Sequence, residues 1–182
     1  TQDDANHIFP SFLPDGRMLI FERPASTDNL LLKQIINPRG FSLTINASWD
    51  ALYSVPVLDS VVDADGRTTQ FVYTTVNGKK LLQRVTTPDG NYAEFGYTPT
   101  GPNGTTPMLT SIRDAAGIVS TIAYSGSGQY WDYIPASITT PYGTTTFENR
   151  DDLATFERYL KVTGAGGVRH VFAFRYGQLG DE

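Results

Sequence analysis

The sequence predicts an all-β fold: an array of about seven antiparallel β-hairpins in one open sheet. Three observations predict it. A turn glycine returns at Gly16, Gly40, Gly66, Gly90, Gly117, Gly143 and Gly167, at gaps of 24 to 27 residues. Large apolar residues follow it by five places (Phe21, Ile45, Phe71, Phe95, Ile122, Phe172), and β-branched residues precede it by five (Ile35, Val61, Val85, Ile112, Ile138, Val162). No segment holds a helical period over three turns. A repeat of this size means one supersecondary unit stacked on itself, each unit burying apolar surface against its neighbours.

The hairpins follow in order. The first bends at Pro14-Asp15-Gly16 and the second at Pro38-Arg39-Gly40. Proline presets the φ of a type I turn, and glycine supplies the left-handed residue that closes it with a bulge. The third bends at Ala64-Asp65-Gly66 and runs through the tight turn Asn77-Gly78 into the fourth, where Thr87-Pro88-Asp89-Gly90 is the clearest copy. The fifth bends at Ala115-Ala116-Gly117. The sixth, Pro141-Tyr142-Gly143, has Glu148 where an apolar residue is expected and Phe147 one place earlier. It is predicted to be one residue shorter, with a two-residue loop pairing Ile138 with Phe147. The seventh turns through Thr163-Gly164-Ala165-Gly166-Gly167. Between the last two, Asp151 to Arg158 can form one helical turn with an aspartate as N-cap.

A three-residue loop also sets the register. It pairs position −3 with +1, −5 with +3, −7 with +5 and −9 with +7, counted from the glycine, which places all odd offsets on one face. That face then gathers the apolar residues, including Leu31, Val57, Leu81, Met108 and Ile134 at −9 and Tyr73, Tyr97, Tyr124 and Phe174 at +7. The leucines at −8 (Leu32, Leu58, Leu82, Leu109) break the pattern; they either pack on the second face or mark a bulge. A sheet of some fourteen strands must curl, so a curved, spiralling sheet with the odd face inside is expected.

Length and composition bound the rest. The 182 residues read as a single β domain spanning 1–182, with no linker-like stretch. A net charge of −5 without a basic stripe disfavours nucleic acid, and Lys79-Lys80 read as solvated turn residues. No apolar run reaches the length of a spanning helix. The absence of cysteine excludes disulfides and thiolate chemistry and is compatible with export. The opening Thr1-Gln2-Asp3-Asp4 reads as that of a processed or excised fragment.

The pattern Leu-x-x-Val-x-x-Pro-Asp-Gly-x-x-x-x-Phe-x-Tyr from Leu82 to Tyr97 is similar to the Rhs/YD repeat. The clearest copies are 32–47, 58–73, 82–97 and 109–124, and those around Gly16, Gly143 and Gly167 are degenerate. The resemblance implies a spiralling β-sheet that, in bacterial members, closes into a hollow shell around a C-terminal toxin. Rhs polymorphic toxins, insecticidal toxin complex C components, wall-associated contact-dependent toxins and teneurins build such sheets. It therefore implies a secreted or cell-surface, non-enzymatic wall segment, whose partners are flanking repeats or a cargo or toxin domain of the same parent protein. Seven repeats are fewer than a full shell needs, so part of a shell or a small relative is expected.

Candidate chemistry is sparse. The connections opposite the glycine turns, Ala47 to Val55, Thr98 to Pro107, Ser125 to Tyr133 and Asn149 to Glu157, vary in length, and loops on a regular scaffold carry specificity. Trp49, Tyr53, Tyr130, Trp131 and Tyr133 gather in two of them. Trp49, Tyr130, Trp131 and Tyr133 define the alternative function, a surface module binding glycan or protein; the competing reading, rings covering the open end of the core, outweighs it. His7 and His170 share no metal spacing, and His170, at +3, reads as a packing residue on the apolar face. Asp63-Ala64-Asp65-Gly66 is part of a calcium-loop pattern but coincides with the turn. The glycines after Thr163 lack the helix a phosphate cradle needs. Asn46-Ala47-Ser48 and Asn103-Gly104-Thr105 match the glycosylation pattern by coincidence if the chain is bacterial. No cofactor is implied, and a hydrolase has no nucleophile–base pair to support it.

Overall fold

The computed structural model describes residues 8–24, 28–50, 52–101, 106–125, 134–152 and 157–175. Among them lie fourteen β-strands and no helix, and the strand order in the sheet follows the chain from β1 to β14. The all-β hairpin array is as the sequence predicts. Strands β1 (Ile8–Phe12) and β2 (Met18–Glu22) flank Gly16, and β3 (Leu31–Ile36) and β4 (Ser42–Asp50) flank Gly40. β5 (Val55–Val62) and β6 (Thr68–Val76) flank Gly66, and β7 (Lys79–Thr86) and β8 (Tyr92–Thr98) flank Gly90. β9 (Met108–Arg113) and β10 (Val119–Tyr124) flank Gly117. β11 (Pro135–Thr140) and β12 (Gly143–Asp152) form the sixth hairpin, and β13 (Glu157–Thr163) and β14 (Arg169–Arg175) flank Gly167.

All seven glycines carry positive φ, from 79° at Gly167 to 125° at Gly143, as do Asn77 and Gly78 at the tight turn. In six of the seven turns the glycine N–H donates to the carbonyl three residues earlier, as Gly66 does to Asp63 at 3.0 Å. The residue at −3 also donates its own N–H to the +1 carbonyl, as Asp63 does to Arg67 at 3.0 Å. The three-residue loop of the sequence reading is therefore present.

Two compact units divide the chain: Thr1–Thr75 with Lys79–Ala93, and Val76–Gly78 with Glu94–Glu182. In the first unit Phe12 faces Met18, Ile36 faces Ser42 and Val62 faces Thr68, the −4 and +2 pairs that the loop dictates. In the second, Arg113 faces Val119 and Thr163 faces Arg169 in the same way. The sixth hairpin is shorter by one residue, as expected, but its loop is Pro141-Tyr142. Gly143 already pairs with Thr140, so Ile138 faces Thr145 rather than Phe147. In this place Gly143 meets the next turn: a methyl on it would lie 2.5 Å from the Ala165 Cβ, so no larger residue fits.

The connections differ from expectation in two places. β4 continues to Asp50, which puts Trp49 on a strand opposite Pro56 rather than in a loop. β12 continues to Asp152, and Asp151 and Asp152 pair with Arg158 and Glu157. The helical turn expected from Asp151 to Arg158 is thus replaced by strand at both ends, because cross-strand pairing satisfies the backbone groups that a cap would have served.

Burial is shallow. Leu31, Val57 and Met108 are 6%, 3% and 7% exposed, and no described side chain is fully enclosed. The apolar alternation is nonetheless clear. In β6, Phe71 and Tyr73 are half-buried while Gln70 and Val72 are exposed; in β10, Ser120, Ile122 and Tyr124 are half-buried while Thr121 and Ala123 are exposed.

Candidate functional site

The turns of each unit repeat one kind of polar chemistry. Three residues before the glycine, Asn37, Asp63 and Asp114 fold their side chains back onto the turn. Asp63 Oδ1 accepts the N–H of Asp65 at 3.0 Å and of Arg67 at 2.9 Å, and its Oδ2 accepts Arg67 Nε at 2.7 Å. Asp114 accepts from Ala116 and Ile118, and Asn37 from Arg39 and Phe41. These side chains hold turn N–H groups that the strands cannot reach. The Arg67 N–H, followed by the Arg67 guanidinium, holds the Asp63 carboxyl below the usual carboxylate range. The Thr87 hydroxyl does the same for Asp89. Asp63 and Asp65 are therefore occupied within their own turn, as the turn reading of Asp63-Ala64-Asp65-Gly66 requires. Among the described residues no group of three or more His, Asp or Glu is placed to hold a metal.

A second device lies seven residues before the glycine. Across β2 and β3, Ile20 faces Gln34 and Phe21 faces Leu32, leaving Lys33 as an extra residue. The same slip leaves Asp59 between β4 and β5, Thr110 between β8 and β9, and Ala136 between β10 and β11. All four are bulges at −7. Each inverts the strand beyond it, which corrects the expected register. Leu32, Leu58 and Leu109, at −8, join the apolar face, where Leu32 faces Phe21, Leu58 faces Ala47 and Leu109 faces Tyr97. The −9 residues turn to the other face, where Val57 faces Ser48 and Met108 faces Thr98. Of the two explanations for apolar −8 residues, the bulge is the right one.

The bulge also ends the ladder inside its own hairpin. The last pairs are Ser60 with Gln70 and Ser111 with Thr121. The carbonyl at −8, past the break, is taken by the tyrosine at +7: Tyr73 Oη donates to the Leu58 carbonyl at 3.0 Å and Tyr124 Oη to the Leu109 carbonyl at 2.9 Å. Partial burial pushes the Tyr124 hydroxyl, and likewise that of Tyr97, above the usual phenol value. In the second hairpin +7 is Ala47, which has no donor, and there the bulged Lys33 donates Nζ to the Ala47 carbonyl at 2.8 Å. Sequence reasoning assigned the +7 tyrosines to apolar packing alone. The signal it passed over is their pairing with apolar −8 residues.

At the connection edge of the first unit, Lys80 corrects a second expectation. It is not a solvated turn residue: its Nζ lies 2.9 Å from Asp50 Oδ2 and 5.9 Å from the Tyr73 ring centre. Asp50 Oδ1 accepts the N–H of Leu52 at 3.0 Å and of Tyr53 at 3.3 Å, so one carboxylate shapes the loop and anchors it to β7. The Lys80 ammonium, with those N–H groups, holds Asp50 below the usual carboxylate range. In the second unit, Gly101 N–H donates to the Thr106 carbonyl at 2.6 Å, and a methyl there would lie 2.6 Å from Met108 Cγ. Gly101 thus packs directly on Met108, which contributes to its burial.

Of the aromatic set, Trp49 is half-buried on β4, whereas Tyr130, Trp131 and Tyr133 lie outside the described residues, as does His7. His170 faces Val162 across the last hairpin, but it is exposed rather than packed, because every residue of β14 is exposed. Two open clefts flank these features. One of about 640 Å³ lies at the turns of the first unit, between Asp63, Arg67, Thr69, Pro88 and Asp89. The other, of about 280 Å³, lies between Ile134, Pro135, Phe147 and Glu148. Glu148 is engaged by Lys161 at 2.6 Å and Tyr159 at 3.1 Å. No helix among the described residues is long and apolar enough to cross a membrane. Protein-family models give no match to this chain, and no curated protein matches it.

Proposed function

We propose that this chain is a structural wall segment of a repeat-built enclosure, similar to the shells of Rhs/YD proteins, in an exported or surface-held bacterial protein. In this reading the array itself performs no chemistry; it separates a cargo or toxin domain of the same parent protein from its surroundings, with flanking repeats completing the wall. The observation that carries the reading is the recurrent hairpin: alternation puts Phe71 and Tyr73 on one face of β6 in the first unit and Ile122 and Tyr124 on one face of β10 in the second, and each of these faces stays only half-buried. A half-buried apolar face needs a covering, and curling it around a cargo supplies one.

The test uses the absence of cysteine from the chain. Thr69→Cys places a thiol on the odd face and Gln70→Cys one on the even face of β6. In the full-length parent protein, thiol labelling at 69 should slow by about tenfold relative to this chain alone, with labelling at 70 unchanged. Equal rates at 69 in both would remove the enclosure reading. The alternative, a module binding glycan or protein through Trp49, Tyr130, Trp131 and Tyr133, has less support, because Trp49 is committed to a strand.

A further inference from the structure

The two outermost strands of the array have opposite edge chemistry. In the first hairpin Leu13 N–H donates to Arg17, which makes Leu13–Arg17, Ser11–Leu19 and Phe9–Phe21 the hydrogen-bonded pairs. The backbone groups of Ile8, Pro10 and Phe12 then point away from β2. Proline has no N–H, so the middle of that edge lacks a donor, a recognised way of blunting an edge strand.

In the last hairpin Gly164 N–H donates to Val168, so Val162–His170, Leu160–Phe172 and Arg158–Phe174 are the bonded pairs. Arg169, Val171, Ala173 and Arg175 direct N–H and C=O away from β13. No proline or register shift interrupts them, and β13 is the sole neighbour of β14 among the described strands. All seven residues of β14 are exposed; Val171 is 62%, Phe172 58% and Phe174 54% exposed.

The charges on this edge say what it accepts. Arg169 and Arg175 sit at either end of the row that includes Val171 and Ala173, in a chain of net charge −5. Arg175 holds Glu157 at 2.6 Å, while Arg169 has no carboxylate partner among the described residues. Existing strand junctions pair opposite charges in the same way: Lys33 with Glu22 across β2 and β3, and Lys161 with Glu148 across β12 and β13. Two β14 strands pairing antiparallel about Phe172 would set Arg169 against Arg175, so self-pairing in that register is repelled.

From this we infer that β14 is a docking edge for an extended, acidic partner strand that adds antiparallel to it. Its carboxylates face Arg169 and Arg175, and its apolar residues lie beside His170, Phe172 and Phe174. The inference does not rest on the enclosure reading; it needs only the edge.

The probe is the capped peptide Glu-Val-Thr-Ile-Thr-Val-Glu, whose register matches Arg175 to Arg169, set against a control with both glutamates replaced by lysine. Fluorescence anisotropy with this chain should show saturable binding of the first peptide and binding weaker by about tenfold for the second. Val171→Pro removes an outward N–H without touching the β13 ladder and should abolish binding. Arg169→Glu, a surface change, should narrow or reverse the preference between the two peptides. Circular dichroism confirms that each variant folds. Absence of saturable binding to the folded wild-type chain, or unchanged binding to a folded Val171→Pro variant, overturns the proposal. So does concentration-dependent self-association in sedimentation velocity that Val171→Pro removes while the peptide fails to bind; the occupant is then a second copy.

Discussion

The hairpins centred on Gly66 and Gly117 and the hairpin centred on Gly167 share a turn but not a construction. The first two break their ladder with a bulge at −7, latch the loose carbonyl with a +7 tyrosine and turn inward an apolar −9 residue, Val57 or Met108, two of the three buried apolar side chains among the described residues. The last runs from Thr163–Arg169 to Glu157–Arg175 without a shift. It has Arg158 at −9 and Phe174 at +7, stacked 5.9 Å from guanidinium carbon to ring centre, and Gly164 in place of the capping aspartate. The difference teaches that the bulge and the buried −9 residue go together, as Leu31, Val57 and Met108 show, while the tyrosine joins them in these two hairpins and is absent from the second. Where the bulge is absent, the hydroxyl is absent too, and burial on both faces is lost.

Removing the bulge should have the largest effect. Deletion of Asp59 makes β5 regular and returns Val57 to the opposite face, so the fold of the first unit should lose about 3 kcal/mol or more in urea denaturation. A wild-type midpoint in that variant would show the bulge to be incidental. Next comes the −9 position. Met108→Ala should cost about 2 to 3 kcal/mol, whereas Val171→Ala in the last hairpin should stay within about 0.5 kcal/mol. Comparable losses would erase the contrast.

The latch is smaller. Tyr73→Phe and Tyr124→Phe each strand a carbonyl and should cost about 1 kcal/mol, while Phe174→Tyr should gain nothing measurable, because its ladder leaves no carbonyl to take. The smallest effect is one of pH. Asp63 has its pKa depressed in the folded chain, so its contribution is present above the unfolded value of about 3.9 and is lost as pH falls through the folded value. Asp63→Asn keeps an Oδ1 acceptor and removes the titration. Its urea midpoint should therefore fall less than that of the wild type between about pH 5 and pH 2. Identical slopes would assign acid sensitivity elsewhere.

The comparison also marks what could be read from the residues alone. Turn glycines, loop length and the pairs near the turn follow from local chemistry, since φ and the first hydrogen bonds are decided within five residues. The ladder beyond −6 does not. A bulge is a choice between two strands, and its one sequence trace was the apolar residue at −8 beside the apolar residue at −9. In the last hairpin, where no bulge intervenes, the expected facing of Arg158 and Phe174 holds; for Val57 and Met108 it fails. The Asp50–Lys80 anchor spans 30 residues and two strands, a separation over which no local pattern speaks. Trp49 falls within the connection Ala47 to Val55 that the repeat spacing leaves between hairpins, yet the bulge at Asp59 lets β4 stay paired as far as Asp50.

The turns also touch one another. A methyl on Gly16 would lie 3.1 Å from Pro38, and one on Gly143 2.5 Å from Ala165, so at these places neighbouring loops mesh with no slack. Guest sequence spliced into that rim would wedge adjacent ribbons apart. The connections at the other end of the hairpins, as unlike in length as 51–54 in the first unit and 99–107 in the second, are where such a scaffold can take on new segments and change its role without being rebuilt.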